Sequence, residues 1–201
     1  MRFAAVALGV GFVGTILASN IQGPNAASAE SLVSAMRPST EITGSIAPVG
    51  AKAPTFSTRG AVAGKVVAID LAQQLKKGPV VLYFFPAAFT GGCNAEAHAF
   101  AEAIPDFQKA GATVIGMSAD DVPTLQRFSA EKCAGKFAVA SAGANVIKGY
   151  DVALSAGGRA LTKRTSYVIG RDGRVAYVHD DMNPAQHVAL TLAAVQKINH
   201  S

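Results

Sequence analysis

A cysteine follows one of the most apolar stretches of the chain, at a position where a thiol can become reactive. Residues 80–85, VVLYFF, precede the segment FTGGCN, which contains Cys93, one of two cysteines among 201 residues. If Thr90 is the N-cap of a helix, Cys93 is its third residue, where unpaired backbone N–H groups and the helix dipole favour an anion. The position therefore favours a thiolate, the nucleophilic form of cysteine.

A helix terminus alone cannot supply all the stabilisation that a reactive thiolate needs. The helix dipole contributes ~0.3–1 kcal/mol at an exposed site and up to ~2 kcal/mol at a partly buried one. Lowering the pKa of a thiol from about 8.5 to about 6 requires roughly 3.4 kcal/mol. The rest of the chain must therefore bring a cation close to Cys93.

Alternating strands and helices predict an α/β domain in which this thiol follows a central strand. The continuous apolar run over 80–85 is typical of a strand buried on both faces of a parallel sheet. Apolar residues at helical spacing follow it, with Pro105 expected to kink or restart the helix. A strand over 112–118 and a helix over 123–133 complete a βαβ unit, which should be right-handed.

The C-terminal half continues this alternation. A short strand is predicted over 137–141 and a helical stretch over 145–150. Strands over 166–169 and 174–178 flank a turn and form a hairpin, and a last helix begins at 183–184, Asn-Pro. The order of β-hairpin, βαβα, β-hairpin and α predicts a thioredoxin-like arrangement with extra elements.

The N-terminal segments differ in composition from this domain. Residues 1–29 have a positively charged start, an apolar stretch over 3–18 and a small-x-small cleavage site at 27–29, which together indicate an export signal. Sixteen apolar residues fall short of the ~20 that span a bilayer. We expect a cleaved signal and a periplasmic or otherwise exported protein, with an uncleaved membrane anchor as the alternative. Residues 30–48 are predicted to be a flexible tether, and 49–201 the folded domain.

Composition and charge exclude several classes of function. The length suits one well-packed domain, and only 15% of the residues are charged. The net charge of +5 comes from scattered basic residues that no aromatic residues interleave, so we expect no binding to nucleic acid.

A family resemblance rests on the residues around the thiol. Residues 86–93, PAAFTGGC, match the P-x-x-x-T-x-x-C signature of peroxiredoxins, and Glu96 is the acid at the third position after the cysteine. Residues 49–56 resemble the start of the family's domain, and 164–169, RTSYVI, resemble the strand that bears its active-site arginine. The resemblance covers about 49–200 and looks closest to the peroxiredoxin Q, or bacterioferritin comigratory protein, subgroup. It implies a thioredoxin-like fold with a peroxiredoxin-type N-terminal β-hairpin, an extra helix and a central mixed sheet flanked by helices.

The resemblance also implies the activity and the role of each residue. The chain would be a thiol-dependent peroxidase without metal or other cofactor, in which the Cys93 thiolate attacks a peroxide and becomes a sulfenic acid. Arg164 would be the missing cation, stabilising the thiolate and the charge on the breaking O–O bond. Thr90 would position the peroxide, Glu96 would belong to the same substrate-binding group, and Pro86 would cover the thiol.

The implied partners are a peroxide and a thiol reductant. The substrate would be hydrogen peroxide, an organic hydroperoxide or both, and the reductant a thioredoxin-like protein. We expect a monomer or a weak homodimer.

The second cysteine, Cys133, has three possible roles. Many members of the subgroup carry a resolving cysteine five residues after the first, where this chain has His98. Since some relatives place it on the following helix, Cys133 is predicted to resolve the sulfenic acid through an intramolecular disulfide. It could instead be an incidental buried cysteine, or half of a structural disulfide worth roughly 4 kcal/mol. His98 is predicted to be a partly exposed helix residue rather than a catalytic base.

Two other functional classes and a metal site are less consistent with the sequence. A dithiol–disulfide oxidoreductase normally needs C-x-x-C, but Thr90 stands three residues before Cys93. A non-enzymatic adaptor or redox sensor would not need the chemistry of Thr90 and Arg164. The adjacent strand residues 179–181, His-Asp-Asp, cannot all face one metal ion.

Overall fold

The structure is a computed structural model that describes residues 47–199. These residues belong to one compact unit, Thr43–Ser201. The predicted export signal and nearly all of the predicted tether lie outside the described residues.

The described residues alternate between strands and helices, followed by a C-terminal helix. The strands are β1 (Ser57–Val62), β2 (Lys65–Asp70), β3 (Val80–Phe84), β4 (Thr113–Ser118), β5 (Ala138–Ser141), β6 (Ala153–Ala156), β7 (Arg159–Thr162), β8 (Thr165–Ile169) and β9 (Val175–Asp180). The helices are α1 (Leu71–Leu75), α2 (Gly91–Lys109), α3 (Val122–Glu131), α4 (Ala144–Gly149) and α5 (His187–Asn199), and a 3-10 turn (Pro184–Gln186) precedes α5.

Seven of these strands form one mixed sheet in the order β2-β1-β5-β4-β3-β8-β9. Strands β3, β4 and β5 are parallel, whereas β8 and β9 join antiparallel on one side and the β1–β2 hairpin joins antiparallel on the other. Strands β6 and β7 form a separate hairpin. The predicted α/β, thioredoxin-like fold with a central mixed sheet and an N-terminal hairpin is confirmed.

The apolar run that predicted a central strand is explained by two cores on opposite faces of the sheet. Val81, Tyr83 and Phe85 pack into the core that contains residues of α2, α3 and α5. The alternating residues Leu82 and Phe84 pack into the other core, together with residues of α1 and the segment after α4. Because successive strand residues point to opposite faces, a strand between two cores must be apolar throughout.

Helix α2 continues through Pro105, where the sequence predicted a kink or a restart. The helix runs from Gly91 to Lys109 and does not restart at the proline, which is exposed. An interior proline removes one hydrogen bond and crowds the preceding turn. Ile104 and Phe107 are both buried in the core, and this packing on either side of the proline holds the helix together.

Other predicted boundaries shift by a few residues, and two elements were missed. Helix α3 ends at Glu131, so that Cys133 lies beyond its C-cap rather than within the helix. The β6–β7 hairpin and the short helix α1 were not predicted. The hairpin strands are four residues long, largely exposed and rich in small residues, so they lack the alternation that identifies a strand.

Candidate active site

The candidate site lies where β3 ends and α2 begins, and the sheet register brings Arg164 to it. In the antiparallel pair of β3 and β8, Phe84 faces Thr165. Arg164 therefore sits beside the end of β3, and its Nη2 lies 3.5 Å from the Sγ of Cys93, 71 residues earlier in the chain. Cys93 is 1% exposed and Arg164 4% exposed, so water screens this contact poorly.

Helix α2 places the thiol in its first turn, as the sequence predicted. Thr90 occupies the N-cap position with extended backbone angles, and Cys93 is the third helical residue. The Thr90 side chain does not cap the helix, however: its exposed hydroxyl donates to the Ala87 carbonyl oxygen at 3.1 Å and accepts no hydrogen bond from a helical N–H. The N–H groups of the first turn lack intrahelical acceptors, as at any helix start.

The loop before the helix is held by an aspartate from the neighbouring strand connection. The Ala88 N–H donates to Asp120 Oδ2 at 2.7 Å, and the Ser118 hydroxyl donates to the same oxygen at 2.9 Å. Phe89 has a φ of 64°, a left-handed backbone conformation that is strained for a phenylalanine. The half-buried Pro86 lies at the start of this loop. The loop is thus a rigid support for the helix terminus.

The guanidinium of Arg164 is fixed from several directions. Its Nη1 forms a buried ion pair with Glu96, one turn after Cys93 on α2. Its Nε donates to the Met182 carbonyl oxygen at 2.9 Å, and its backbone N–H donates to the Met182 sulfur at 3.4 Å. With two of its three nitrogens held in this way, the planar guanidinium presents the third, Nη2, to the thiol without further reorganisation.

A neutral histidine completes the buried polar group behind Arg164. His187 Nε2 lies 2.8 Å from the Asp181 carbonyl oxygen, which can only accept, so we assign the ring proton to Nε2. Its Nδ1 then accepts from the Ser166 hydroxyl at 2.7 Å and lies 3.8 Å from Glu96 Oε1. Burial lowers the pKa of His187 to about 4, which agrees with the neutral ring.

Glu96 keeps one oxygen unpaired in this group. Oε2 pairs with Arg164, but the buried Oε1 has no hydrogen-bond partner among the described residues. Burial raises the pKa of Glu96 to about 7, although the Arg164 charge and hydrogen bond oppose the change.

The two cysteines are buried, unbonded and part of one apolar core. Cys93 and Cys133 are both free, and both belong to the core on the α2 and α3 side of the sheet. The backbone N–H of Cys133 donates to the Phe128 carbonyl oxygen at 3.3 Å, and burial raises the pKa of its thiol to about 12. At rest the protein has no disulfide between them.

A family model described as the AhpC/TSA family matches residues 49–178. The chain belongs to the AhpC/TSA family. Peroxiredoxin Q from chloroplasts of Oryza sativa subsp. japonica is 33% identical over 150 residues, which are 74% of this chain and 67% of that protein. The corresponding protein of Suaeda salsa is 34% identical over 150 residues, 74% of this chain and 68% of that protein.

Solved structures agree with this membership. Peroxidoxin BcpB from Mycobacterium tuberculosis superposes with a TM-score of 0.67 and 29% identity, over 75% of this chain and 97% of that one. Peroxiredoxin Q from Xanthomonas campestris gives a TM-score of 0.60 and 26% identity, over 69% and 89%. This member of the AhpC/TSA family therefore falls in the peroxiredoxin Q, or bacterioferritin comigratory protein, subgroup and is a thiol-dependent peroxidase.

The raised pKa of Glu96 predicts a pH dependence of the stability of this peroxiredoxin. Its pKa is about 7 in the folded protein against an ordinary value of 4.5, so the folded state binds the proton more tightly. Its contribution to the unfolding free energy is therefore fully present below about pH 4.5 and lost as the pH rises to about 7. Relative to Glu96→Gln, the wild type should lose up to ~3 kcal/mol over this window, measured by denaturant unfolding at several pH values.

Glu102→Gln is the matched control for this experiment, because Glu102 lies on the same helix but is 68% exposed. Its unfolding free energy should follow that of the wild type at every pH. Parallel curves for the wild type and Glu96→Gln would show that the pKa of Glu96 is not raised.

The structure also places the two histidines that the sequence analysis considered. His98 is on the exposed side of α2, 3.4 Å from Glu102 Oε1. His179 packs against the ring of His187 with centroids 4.5 Å apart. Within residues 47–199 there is no group of three or more His, Cys, Asp or Glu residues that could hold a metal ion.

Sequence reasoning missed several residues that support this site. Asp120 binds the loop before α2, and Met182 binds Arg164. Ser166 binds His187, which in turn contacts Glu96. None of these four residues was identified from the sequence. Asp120 follows directly on β4 at the same edge of the sheet as the thiol, and that position is a signal which could have identified it. Met182 has no such signal, since its carbonyl oxygen is the main contact.

Proposed function

We propose that Cys93 is the peroxidatic thiol of this peroxidase and that it reduces hydroperoxides through a sulfenic acid. The observation that carries the proposal is the 3.5 Å contact between Arg164 Nη2 and Cys93 Sγ at the start of α2. The thiolate attacks the terminal peroxide oxygen, so an S–O bond forms as the O–O bond breaks. The departing oxygen takes up a proton and leaves as water or an alcohol.

Arg164 stabilises negative charge at both stages of this step. Before the reaction its charge favours the thiolate, and during it the charge on the breaking O–O bond develops close to the same guanidinium. The ion pair with Glu96 and the bond to Met182 hold the guanidinium in place, so little reorganisation is needed as the charge moves.

Thr90, Glu96 and Pro86 complete the proposed site. The Thr90 hydroxyl is exposed at the N-cap, and with the N–H groups of the first turn it would bind the peroxide oxygens. Glu96 would act by positioning Arg164 rather than by touching the substrate. Pro86, half-buried at the end of β3, would limit the access of water to the thiol. Substitution of each residue by Ala, with the peroxide rate constant measured, tests its role.

We propose that Cys133 then resolves the sulfenic acid by forming a disulfide with Cys93. A disulfide requires Cα atoms within about 7 Å and access of one sulfur to the other, and the proposal includes unwinding of the first turn of α2 to give that access. Gly91 and Gly92, both exposed and without side chains, make local unwinding of this turn easier. The free thiols of the resting structure support a disulfide that forms during turnover rather than a permanent bridge.

The test of this role is the Cys133→Ser variant. One equivalent of peroxide should convert the reduced wild type to a monomer lighter by two hydrogens, whereas Cys133→Ser should stop at the sulfenic acid and over-oxidise with excess peroxide. Intact mass after quenching measures both products. A wild type that remains as sulfenic acid, or that forms only an intermolecular disulfide, would contradict the role of Cys133.

We propose that the reductant is a thioredoxin-like protein and that the enzyme is a monomer or weak homodimer. The proposal rests on family membership alone. An assay coupled to thioredoxin and its reductase tests the reductant, and sedimentation of the purified protein tests the oligomeric state. Absence of turnover with thioredoxin would contradict the proposed reductant, and a stable larger oligomer would contradict the proposed monomer or weak homodimer.

We propose further that residues 1–29 are removed during export and that the enzyme acts in the periplasm or outside the cell. The proposal rests on the apolar stretch over 3–18 and the small residues at 27–29. Within residues 47–199, no helix is long and apolar enough to cross a membrane. The purified native protein should begin at or near Glu30 by N-terminal sequencing. An intact Met1 in the membrane fraction would favour the uncleaved anchor.

A further inference from the structure

Phe89, in the loop before α2, has a backbone conformation that its bulky side chain makes unfavourable. Its φ of 64° is left-handed, and the other non-glycine residues with positive φ in the described part of the chain are two alanines and an aspartate. This conformation is an outlier for a bulky residue, whereas glycine adopts it without strain. Such strain persists only where the surrounding structure holds the residue in place. The contacts of the Phe89 ring are therefore of interest.

Two residues of α3 hold the ring of Phe89. Phe128 contacts it edge-on, with centroids 5.4 Å apart and planes at 87°, and the Cζ of Arg127 lies over the ring, 5.6 Å from its centroid. An edge-to-face aromatic pair and a cation over an aromatic face are both attractive. Phe128 is fully buried and stacks on Phe85 directly after β3, so it is a fixed point of contact. The Phe89 side chain thus fastens the loop before α2 to α3.

This side chain lies beside both segments that carry a cysteine. Phe89 directly precedes Thr90, the N-cap of α2, and Cys93 is in the first turn. The Phe128 carbonyl oxygen accepts from the backbone N–H of Cys133 at 3.3 Å, so the residue that holds the ring also holds the segment of the second cysteine. The proposed unwinding of the first turn would start at the residue that Phe89 fastens.

We propose that Phe89 is a strained clasp, held by Arg127 and Phe128, that controls how readily the first turn of α2 unwinds. The ring contacts favour the wound turn, whereas the strain at φ, which unwinding releases, favours the unwound turn. The balance of the two decides whether a sulfenic acid at Cys93 becomes a disulfide or is oxidised further. This consequence rests on the proposed resolving role of Cys133, but the clasp itself does not.

The two fates of the sulfenic acid require different forms of the turn. In the wound turn the sulfur stays beside Arg164, where a second peroxide oxidises it: another S–O bond forms as the O–O bond breaks, and water or an alcohol leaves. In the unwound turn the Cys133 sulfur attacks: an S–S bond forms, the S–O bond breaks, and hydroxide leaves as water with the Cys133 proton. A looser clasp therefore favours the disulfide.

The first test compares Phe89→Ala, which removes the ring contacts, with Phe56→Ala as a matched control. Phe56 is also a half-buried phenylalanine in edge contact with a core aromatic residue, Tyr150, but it packs against the other core. Hydrogen exchange of the reduced protein is measured at the amides of 94–96, the first of which, Asn94, donates to the Thr90 carbonyl oxygen. Exchange should be at least about threefold faster in Phe89→Ala and unchanged in Phe56→Ala.

Two further variants separate the hold on the ring from the backbone strain. Arg127→Gln leaves the loop sequence intact and should accelerate exchange by a smaller factor than Phe89→Ala, because it removes only the cation over the ring. Phe89→Gly also lacks the ring but accepts a positive φ, so its amides of 94–96 should exchange more slowly than those of Phe89→Ala.

The second test measures the fate of the sulfenic acid. Reduced protein is treated with excess hydrogen peroxide, and intact mass gives the ratio of disulfide to sulfinic acid. The ratio should rise at least about threefold in Phe89→Ala and stay at the wild-type value in Phe56→Ala. Because both products arise from the same sulfenic acid, the ratio does not depend on how fast that acid forms. A variant with a merely damaged site would lose both products.

The outcomes are distinct for each part of the inference. Wild-type exchange at 94–96 in both Phe89→Ala and Arg127→Gln would overturn the clasp. Faster exchange with an unchanged product ratio would overturn its influence on the sulfenic acid. A wild type that forms no intramolecular disulfide would contradict the resolving role of Cys133, and hydrogen exchange would still decide whether Phe89 holds the turn.

Discussion

The Cys93→Ser variant is expected to lose peroxide reduction entirely, with a fall in rate constant of at least about a thousandfold. A serine hydroxyl is not ionised near neutral pH, and it has no base beside it comparable to those of serine nucleophiles. The measurement is peroxide consumption by the reduced protein in a single turnover, followed by intact mass.

Cys133→Ser is the matched control, since it also removes one buried thiol from the same core. It should consume its first equivalent of peroxide at the wild-type rate, while the two variants lose similar amounts of stability. Equal loss of the first turnover in both variants would contradict the assignment of Cys93 as the nucleophile. Continued peroxide consumption by Cys93→Ser would do the same.

Arg164→Ala is expected to slow the reaction with peroxide by more than tenfold. The variant removes the cation that lies 3.5 Å from the thiol and that, in the proposed mechanism, stabilises both the thiolate and the breaking O–O bond. Arg164→Lys should be intermediate, because it keeps a charge but cannot pair with Glu96 and the Met182 carbonyl in the same fork. Second-order rate constants measured by stopped flow compare the variants.

Two further variants separate the chemistry of Arg164 from its structural role. Removing Arg164 leaves Glu96 buried without its partner, which can cost ~3–5 kcal/mol of stability. The double variant Arg164→Ala/Glu96→Gln should recover stability but not the rate. Arg171→Ala, at an exposed arginine whose Nη2 donates to the Lys76 carbonyl oxygen, should keep the wild-type rate. A wild-type rate in Arg164→Ala would exclude Arg164 from the mechanism.

The local sequence predicted the strand and the helix start that position Cys93. The apolar run over 80–85 predicted the central strand, because a strand between two cores must be apolar on both faces. Thr90 and the helical spacing after it predicted where α2 begins, which placed Cys93 in the first turn. These features depend on neighbours within a few residues, so a pattern read along the chain is sufficient to find them.

Three features near the site differ from what the local sequence predicts. The Thr90 hydroxyl bonds to Ala87 instead of capping the helix, and Pro105 does not interrupt α2, because the loop and the core hold the backbone in place. Cys133 lies past the end of α3 rather than within it. At Pro105 the local preference was outweighed by core packing, whereas the Thr90 hydroxyl found a competing acceptor three residues away.

By itself the sequence determined the strand, the helix start and the place of Cys93 in its first turn, and through its family resemblance it predicted that Arg164 lies beside the thiol. Only the tertiary structure decided that Glu96 and Met182 fix the guanidinium and that a neutral His187 stands behind them. These contacts depend on sheet register, backbone carbonyl oxygens and the absence of a competing partner. None of those has a periodic pattern or a characteristic spacing along the chain, so the folded molecule is needed to see them.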